Sequence, residues 1–350
     1  MSYYIIPKTN RVSISPQYSR TEQLVCISKS LFNYYKQSKE LFGETTDEYI
    51  FDDVLKNANP FEFLYSKVPG TNMGVSKLSG KTNTFYDFTE IIFTLNIFDD
   101  LKTPITKTLH ITPNYSDTME CVNSFTMGVD NHYNKIDAEL YNESDEKYDF
   151  IFLEPVINSF ENLNHYIFDM IKCLYVIMRR QYVNGTCVIK IDTVFHKPIV
   201  DILYILSSMY EKVYLIKPTS SNVATFEKYI VCIDFISHDK SIDANFQIVS
   251  NLLSKQYEVQ ANIFSLINSN TPLYFTNKLD DINIIIGQQQ LDFLDQLINI
   301  YKTKNKSDKL ETIRKTNIQK SIVWCEKFKI PYNKFQEKTN IFLPLSESNS

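Results

Sequence analysis

Residues 184–235 read NGTCVIKIDTVFHKPIVDILYILSSMYEKVYLIKPTSSNVATFEKYIVCIDF, and this stretch decides the fold class. Its apolar runs at 186–191, 211–217 and 228–236 predict strands, and the apolar spacing over 197–209 predicts a helix. Strands that alternate with a helix of this length are typical of an α/β sheet.

Two features of this stretch describe the sheet further. The turn at 218–226 is too short for a crossover helix, so the last two strands pair antiparallel or lie apart. Gly185 is predicted to end the preceding helix and lead into the strand CVIK, which places Lys190 at the carboxyl end of that strand. Open α/β sheets bind their ligands at those ends.

The same alternation extends towards the N-terminus. The predicted strands in that region are Thr108–Thr112, Thr126–Asp130 and Tyr148–Leu153. The predicted helices are Phe85–Asp99 and Asn162–Arg180. The sequence therefore predicts a doubly wound Rossmann-like sheet, mostly parallel with an antiparallel last strand, within a domain at 81–238.

The flanking regions differ in pattern from this domain. Residues 1–80 are interpreted as an N-terminal extension with a helix from Thr21 to about Lys39. Residues 239–350 are interpreted as a C-terminal helical domain that ends in a short Ser-rich tail. Its predicted helices are Phe246–Ile267, Leu291–Ile300 and Asp308–Lys329.

Composition and spacing exclude several function classes. None of the seven glycines forms G-x-G-x-x-G, which excludes a standard dinucleotide-binding oxidoreductase, and Gly74 lies one residue too far from Gly80-Lys81-Thr82 for a phosphate-binding P-loop. The net charge of −5 excludes a polycation that coats nucleic acid. Six cysteines without a C-x-x-C pair and five isolated histidines predict reduced thiols, a cytoplasmic location and no metal site. No apolar run is long enough to span a membrane.

The stretch resembles the end of the FtsJ-like (RrmJ-type) RNA 2′-O-methyltransferase domain. That family has GG-x-F-V-x-K, then KP-x-S-S-R, then E-x-Y-x-V, and its catalytic tetrad is K-D-K-E. Lys190 and Glu227 match the third and fourth tetrad members. Upstream, Glu154 in YDFIFLEPV takes the place of the aspartate, and Asp87 in TNTFYDFTEI takes the place of the first lysine. The resemblance implies catalytic roles for these four residues.

The resemblance also implies S-adenosylmethionine as the cofactor. The family's loop after the first strand contains several glycines, whereas this chain has HITPNYSDTMECV. Pro113 and Asn114 fall in this loop, and Asp130 falls where an acid would hold the cofactor ribose. The loop without glycine and the charge of Asp87 leave open whether catalysis is retained.

The implied partner is RNA, especially the 5′ cap region of mRNA. Lys81, Lys217, Ser220 and Ser221 are the candidate RNA contacts, and lysines at 302–320 form a second basic run that a solvated helix face also explains. The alternative is a catalytically inactive methyltransferase-fold subunit that binds capped RNA or, through its C-terminal helices, a partner protein in a capping, transcription or translation complex. Heavy use of Lys, Asn, Ile and Tyr is typical of an AT-rich genome, and together with the extra domains it favours a large DNA virus or an AT-rich parasite. A viral origin would imply the host cytoplasm or the virion.

Overall fold

The fold is taken from a computed structural model of the chain. The residues that it describes are 2–20, 23, 25–45, 54–78, 80–98, 104–155, 163–236, 240–254, 262–302 and 307–335.

A seven-stranded sheet forms the centre of the described structure. Its strands are β1 (Ser2–Ile6), β3 (Lys107–Ile111), β4 (Asp130–Tyr133), β5 (Tyr148–Leu153), β6 (Gln181–Ile191), β7 (Tyr210–Lys217) and β8 (Lys228–Phe235). Across the sheet they lie in the order β1-β7-β8-β6-β5-β3-β4. Strands β3 to β6 are parallel, and β8 is antiparallel to both β6 and β7. The expected α/β class, the mostly parallel sheet and its antiparallel last strand are confirmed.

Helices cover both faces of this sheet. They are α1 (Lys29–Thr45), α2 (Asn83–Leu95), α3 (Tyr115–Phe125), α4 (Ile136–Tyr141), α5 (Leu163–Arg180), α6 (Lys197–Met209), α7 (Lys240–Ser254), α8 (Leu273–Lys302) and α9 (Ser307–Lys327). Successive residues of β5 face opposite cores: Ile151 and Leu153 pack with α5 and α6, whereas Phe150 and Phe152 pack with α2. None of the described helices has the length and apolar character of a membrane span.

The N-terminal residues contribute directly to the sheet. Strand β1 is its edge strand and pairs antiparallel with β7, Ser2 opposite Lys217 and Ile6 opposite Val213. A second, two-stranded sheet joins β2 (Gln17–Ser19) to β9 (Asn262–Ser265). Sequence periodicity predicted none of β1, β2 and β9. The domain boundaries at 80 and 238 stay predictions.

Several predicted boundaries are corrected by the structure. The strand expected at 126–130 lies at Asp130–Tyr133. The helix expected at 246–267 is wrong in its second half, because α7 ends at Ser254 and residues 262–265 form β9. In the N-terminal region, α1 begins at Lys29, and Thr21 lies outside the described residues.

Gly185 lies inside β6 and does not end a helix, because α5 ends at Arg180 and β6 begins at the next residue. Asn184 has φ of 62°, and the pairing of β5 with β6 shifts register here. A Cβ on Gly185 would lie 2.8 Å from the carbonyl oxygen of Asp149 and 2.9 Å from that of Tyr182. The glycine thus permits a close approach of two backbone segments.

Gly185→Ala is expected to lower the free energy of unfolding by about 1–3 kcal/mol, because two backbone carbonyls must move to admit the methyl group. Urea unfolding followed by circular dichroism measures this difference. An unchanged midpoint would contradict the close approach.

Candidate functional site

The side chain of Lys190, at the carboxyl end of β6, contacts three other side chains. The Nζ atom of Lys190 lies 3.0 Å from Oε1 of Glu154, just after β5, and 2.7 Å from Oε1 of Glu227, just before β8. It also donates to Oγ1 of Thr84 in α2 at 3.1 Å. Both carboxylates are about nine-tenths buried. The lysine is therefore held between two carboxylates, the Lys190 clamp, at the carboxyl end of β6, and open α/β sheets bind their ligands at the carboxyl ends of their strands.

The electrostatic environment keeps Lys190 charged. Burial alone would lower its pKa, but the carboxylates of Glu227 and Glu154 outweigh that effect and raise the pKa above its ordinary value. The side chain is thus an ammonium at neutral pH. It can stabilise negative charge on a neighbouring oxygen but cannot take up a proton from it.

Asp87 completes this group from α2. Its side chain is fully buried, and it accepts hydrogen bonds from Oγ of Ser220 at 2.5 Å and from the hydroxyl of Tyr229 at 3.0 Å. Burial, followed by repulsion from the carboxylate of Glu227, raises the pKa of Asp87 to about 8. At neutral pH the carboxyl is therefore largely protonated.

A carboxylate beneath the 218–227 loop holds the loop in place. Glu90 accepts hydrogen bonds from the backbone N–H groups of Thr219 at 3.0 Å and Ser220 at 3.2 Å, and from both hydroxyls. It also accepts the indole N–H of Trp324 in α9 at 2.9 Å. Because this loop ends at Glu227, Glu90 helps to position the partner of Lys190.

Lys217 holds the same loop from its other side. Its Nζ atom donates to the carbonyl oxygens of Asn222, Thr225 and Glu227, each at 2.9 Å. Burial lowers the pKa of Lys217 to about 8, although the carboxylate of Glu227 opposes that shift. All three donor positions of this ammonium serve the loop, and an RNA contact from it stays a prediction.

The remaining candidate RNA contacts also have partners within the protein. Ser220 and Ser221 are buried, and the hydroxyl of Ser221 donates to the carbonyl of Pro218 at 2.8 Å. Lys81 lies 2.5 Å from a carboxylate oxygen of Glu120 and 3.4 Å from one of Asp117. Whether these side chains touch RNA stays a prediction.

A cavity of about 590 Å³ opens at the carboxyl ends of β3, β4 and β5. Its lining residues are Ile111, Thr112, Pro113, Tyr115, Tyr133, Asn134, Lys135, Ile136, Ala138 and Glu154. Glu154 belongs both to this lining and to the Lys190 clamp, and the hydroxyl of Thr112 donates a hydrogen bond to its Oε2. The cavity and the lysine therefore adjoin through one carboxylate.

Of the three predicted cofactor residues, Pro113 lines this cavity. Asn114 precedes α3, and its backbone N–H donates to Oγ1 of Thr112 at 3.1 Å. Asp130 lies at the amino end of β4, where its N–H donates to the carbonyl of Thr106 and its carboxylate pairs with His132 at 2.9 Å. Asp130 is thus at the opposite end of the strand from the cavity, because β4 begins at the residue where the predicted strand ended.

Two aromatic side chains form part of the cavity wall: Tyr115, from the expected cofactor loop HITPNYSDTMECV, and Tyr133, which the sequence pattern did not indicate. The rings of Tyr115 and Tyr133 stack with their centroids 4.1 Å apart and their planes within 8°. Both rings are exposed, Tyr133 at 60%. Tyr115 lies four residues after the end of β3, and Tyr133 is the last residue of β4, so a correct boundary for β4 would have placed Tyr133 at the carboxyl end of a strand. Flat, apolar ring faces suit a heteroaromatic ligand.

No group of three or more His, Cys, Asp or Glu side chains among the described residues is arranged to hold a metal ion.

A comparison with curated proteins finds similarity to the cap-specific mRNA (nucleoside-2′-O-)-methyltransferase 1 of Leishmania braziliensis. The two are 23% identical over an alignment of 128 residues that covers 33% of this chain and 29% of that protein. The chain thus matches less than a third of the length of this relative. No family model matches the chain.

Among solved structures, two complexes of phosphoethanolamine N-methyltransferase 2 from Haemonchus contortus are similar. The complex with S-adenosyl-L-methionine has a TM-score of 0.31 and 11% identity, covering 45% of this chain and 39% of that one. The complex with phosphomonomethylethanolamine and S-adenosylhomocysteine has the same TM-score and identity, covering 46% and 39%.

Proposed function

We propose that this protein is an RNA 2′-O-methyltransferase that acts at the 5′ cap region of mRNA and belongs to the FtsJ-like group. The observation that carries the proposal is the Lys190 ammonium between Glu154 and Glu227, with Glu154 shared by the neighbouring cavity. The partial similarity to a cap-specific 2′-O-methyltransferase supports the substrate class.

The cavity fits S-adenosylmethionine in size and chemistry. Its volume of about 590 Å³ is that of an ordinary small-molecule site. Tyr115 and Tyr133 offer ring faces to a purine, while Thr112, Asn134 and Lys135 offer polar groups for ribose and amino-acid moieties. When bound there, the cofactor supplies an electrophilic methyl group.

The residues of this chain would act on the ribose hydroxyl of the RNA. Lys190 stays protonated, so its ammonium stabilises the negative charge that develops on the 2′ oxygen. Glu154 faces the cavity and can accept the proton that this hydroxyl loses. Glu227 keeps the lysine charged and oriented.

Calorimetry with S-adenosylmethionine tests the cavity as the cofactor site. Ala138 lines the cavity, and Ala138→Trp is expected to fill it and to weaken binding at least tenfold. Ala244→Trp makes the same change at an exposed position of α7 and is expected to leave affinity unchanged. Equal affinity in both variants would place the cofactor elsewhere.

Transfer of a labelled methyl group to capped RNA tests the reaction itself. Incorporation at a 2′ oxygen near the cap is the expected result. RNA without a cap and RNA already methylated at that position are the controls. Binding of the cofactor without any incorporation would contradict the enzymatic role.

Asp87 and the glycine-free loop favour a second candidate, a methyltransferase-fold subunit that binds capped RNA or a partner protein without catalysis. Asp87 replaces a cation with a buried carboxyl beside Lys190, and Pro113 offers no backbone N–H to a cofactor. Failure to bind S-adenosylmethionine at millimolar concentration would select this candidate.

A further inference from the structure

A groove of about 640 Å³ lies between α9 and the 218–227 loop, away from the cavity described above. Its lining residues are Phe61, Thr219, Lys315, Thr316, Gln319, Lys320, Val323, Trp324, Lys327 and Phe328. None of these ten lining residues is acidic, and three of them are lysines. We name it the α9 groove.

The floor of the α9 groove is apolar and tightly packed. Trp324 and Phe328 pack with ring centroids 4.5 Å apart, and both are 4% exposed. Val323 lies between the lysines and is 54% exposed. An exposed valine over a fixed aromatic floor provides a surface against which a planar ring can pack.

The rim carries positive charge that the described carboxylates leave largely uncompensated. Lys320 and Lys327 form no ion pair with any described residue, and Nζ of Lys327 lies 5.0 Å above the ring of Phe328. Lys315 lies 3.6 Å from Glu311, with both side chains about 60% exposed, so this pair is weak. An anionic occupant therefore fits the rim.

The α9 groove adjoins the loop that positions the Lys190 clamp. Thr219 lines the groove and donates to Glu90, which also accepts the indole N–H of Trp324. The same loop ends at Glu227, the partner of Lys190. A chain bound in the groove would thus lie against the loop that carries one side of the candidate active site.

We propose that the α9 groove binds single-stranded RNA, with phosphates at Lys315, Lys320 and Lys327 and a base against Val323. Single-stranded RNA carries a phosphate and a flat base in every nucleotide, so it can place phosphates at the lysines of the rim and bases on the apolar floor. The choice of RNA rests on the proposed function, whereas the affinity of the groove for a single strand does not.

The test uses the anisotropy of a fluorescein-labelled 12-nucleotide oligouridylate with the full chain, at 50 and 200 mM salt. K315A/K320A/K327A is expected to weaken binding about tenfold or more at 50 mM salt. Because each phosphate contact contributes about 0.7 to the salt slope on a single strand, the slope should fall by about 2. The matched triple variant K36A/K212A/K240A removes three exposed lysines outside the groove and should stay within twofold of wild type.

Two further measurements separate the alternatives. Val323→Ser should weaken binding a few-fold with an unchanged salt slope, because it removes an apolar contact and no charge. Equal losses in the two triple variants, or a decaglutamate peptide that binds the groove more tightly than the oligonucleotide, would overturn the proposal. S-adenosylmethionine binding by the groove variant should equal that of wild type, so a failure of the cofactor site is seen separately from a failure of the groove.

Discussion

Lys190→Ala is expected to reduce methyl transfer to capped RNA by about 10²- to 10³-fold, the usual cost of removing one group that stabilises an oxyanion. The lysine lies within 3.0 Å of Glu154 and Glu227, and no other ammonium is described within that clamp. In the proposed reaction, its loss would leave two carboxylates beside the 2′ oxygen, which opposes the negative charge that develops there. RNA affinity should change by less than about threefold, because the side chain is only 12% exposed.

The control must reproduce the structural cost of removing a lysine from between two carboxylates. Lys172 lines neither the cavity nor the clamp and is likewise paired with two carboxylates, since its Nζ lies 2.8 Å from oxygens of the exposed Asp137 and the partly buried Asp169 and its side chain is 5% exposed. Lys172→Ala should lower the melting temperature while retaining turnover per folded molecule. If both variants lose turnover in proportion to their loss of folded protein, Lys190 has a structural role and the catalytic assignment fails.

The part of the site that could be predicted from sequence is the part set by local pattern. Lys190 follows a continuous apolar run, so its place at a strand end was visible, and Glu227 directly precedes another such run. The structure brings these two residues together with Glu154, as expected for side chains at the ends of neighbouring strands.

The cavity wall was missed because β4 lacks an apolar pattern. Its residues read DNHY, and an alternation signal cannot locate a strand of four mostly polar residues. The strand was instead predicted at 126–130, which includes Met127 and Val129. Asp130 was therefore assigned to the carboxyl end of the strand, whereas it lies at the amino end. Tyr133 consequently stayed outside the candidate site.

Long-range pairing explains the other omissions. Strand β1 pairs with β7, about two hundred residues away in the chain, so its place at the edge of the sheet depends on that pairing although Tyr3–Ile6 consists of residues that favour strands. The contact between Glu90 and Trp324 joins α2 to α9 across the same kind of distance. The spacing of apolar residues and the residue types in turns are local features. They do not indicate which distant segments pair once the core has assembled.

Asp87→Asn is expected to stabilise the protein at pH 8 and to change its stability little at pH 4. The pKa of Asp87 is about 8 in the folded chain and about 3.9 in an unfolded one. Between these values the folded chain keeps a proton that the unfolded chain has released, so this group makes stability fall as pH rises from about 4 to about 8. Asparagine is neutral throughout, and its amide can still accept from Tyr229 and donate to Ser220.

The quantity to measure is the difference in unfolding free energy between variant and wild type at each pH. Because Lys217, Lys190 and Glu227 are common to both proteins, that difference reports the titration of Asp87 together with its electrostatic effect on these neighbours. It should grow from near zero at pH 4 to a few kcal/mol at pH 8, on the order set by ~1.4 kcal/mol for each pH unit. Urea unfolding at half-unit steps of pH gives the curve.

Asp295→Asn, an exposed change in α8, is the matched control and should give a small, flat difference over the same range. A flat difference for Asp87→Asn as well would mean that Asp87 is ionised at neutral pH. The clamp would then hold three negative carboxylates around one ammonium, and repulsion would work against an alkoxide at the same place. A rising difference instead means that the proton on Asp87 removes one of those charges, so that Lys190 faces only the carboxylates of Glu154 and Glu227, which is the arrangement on which the proposed function rests.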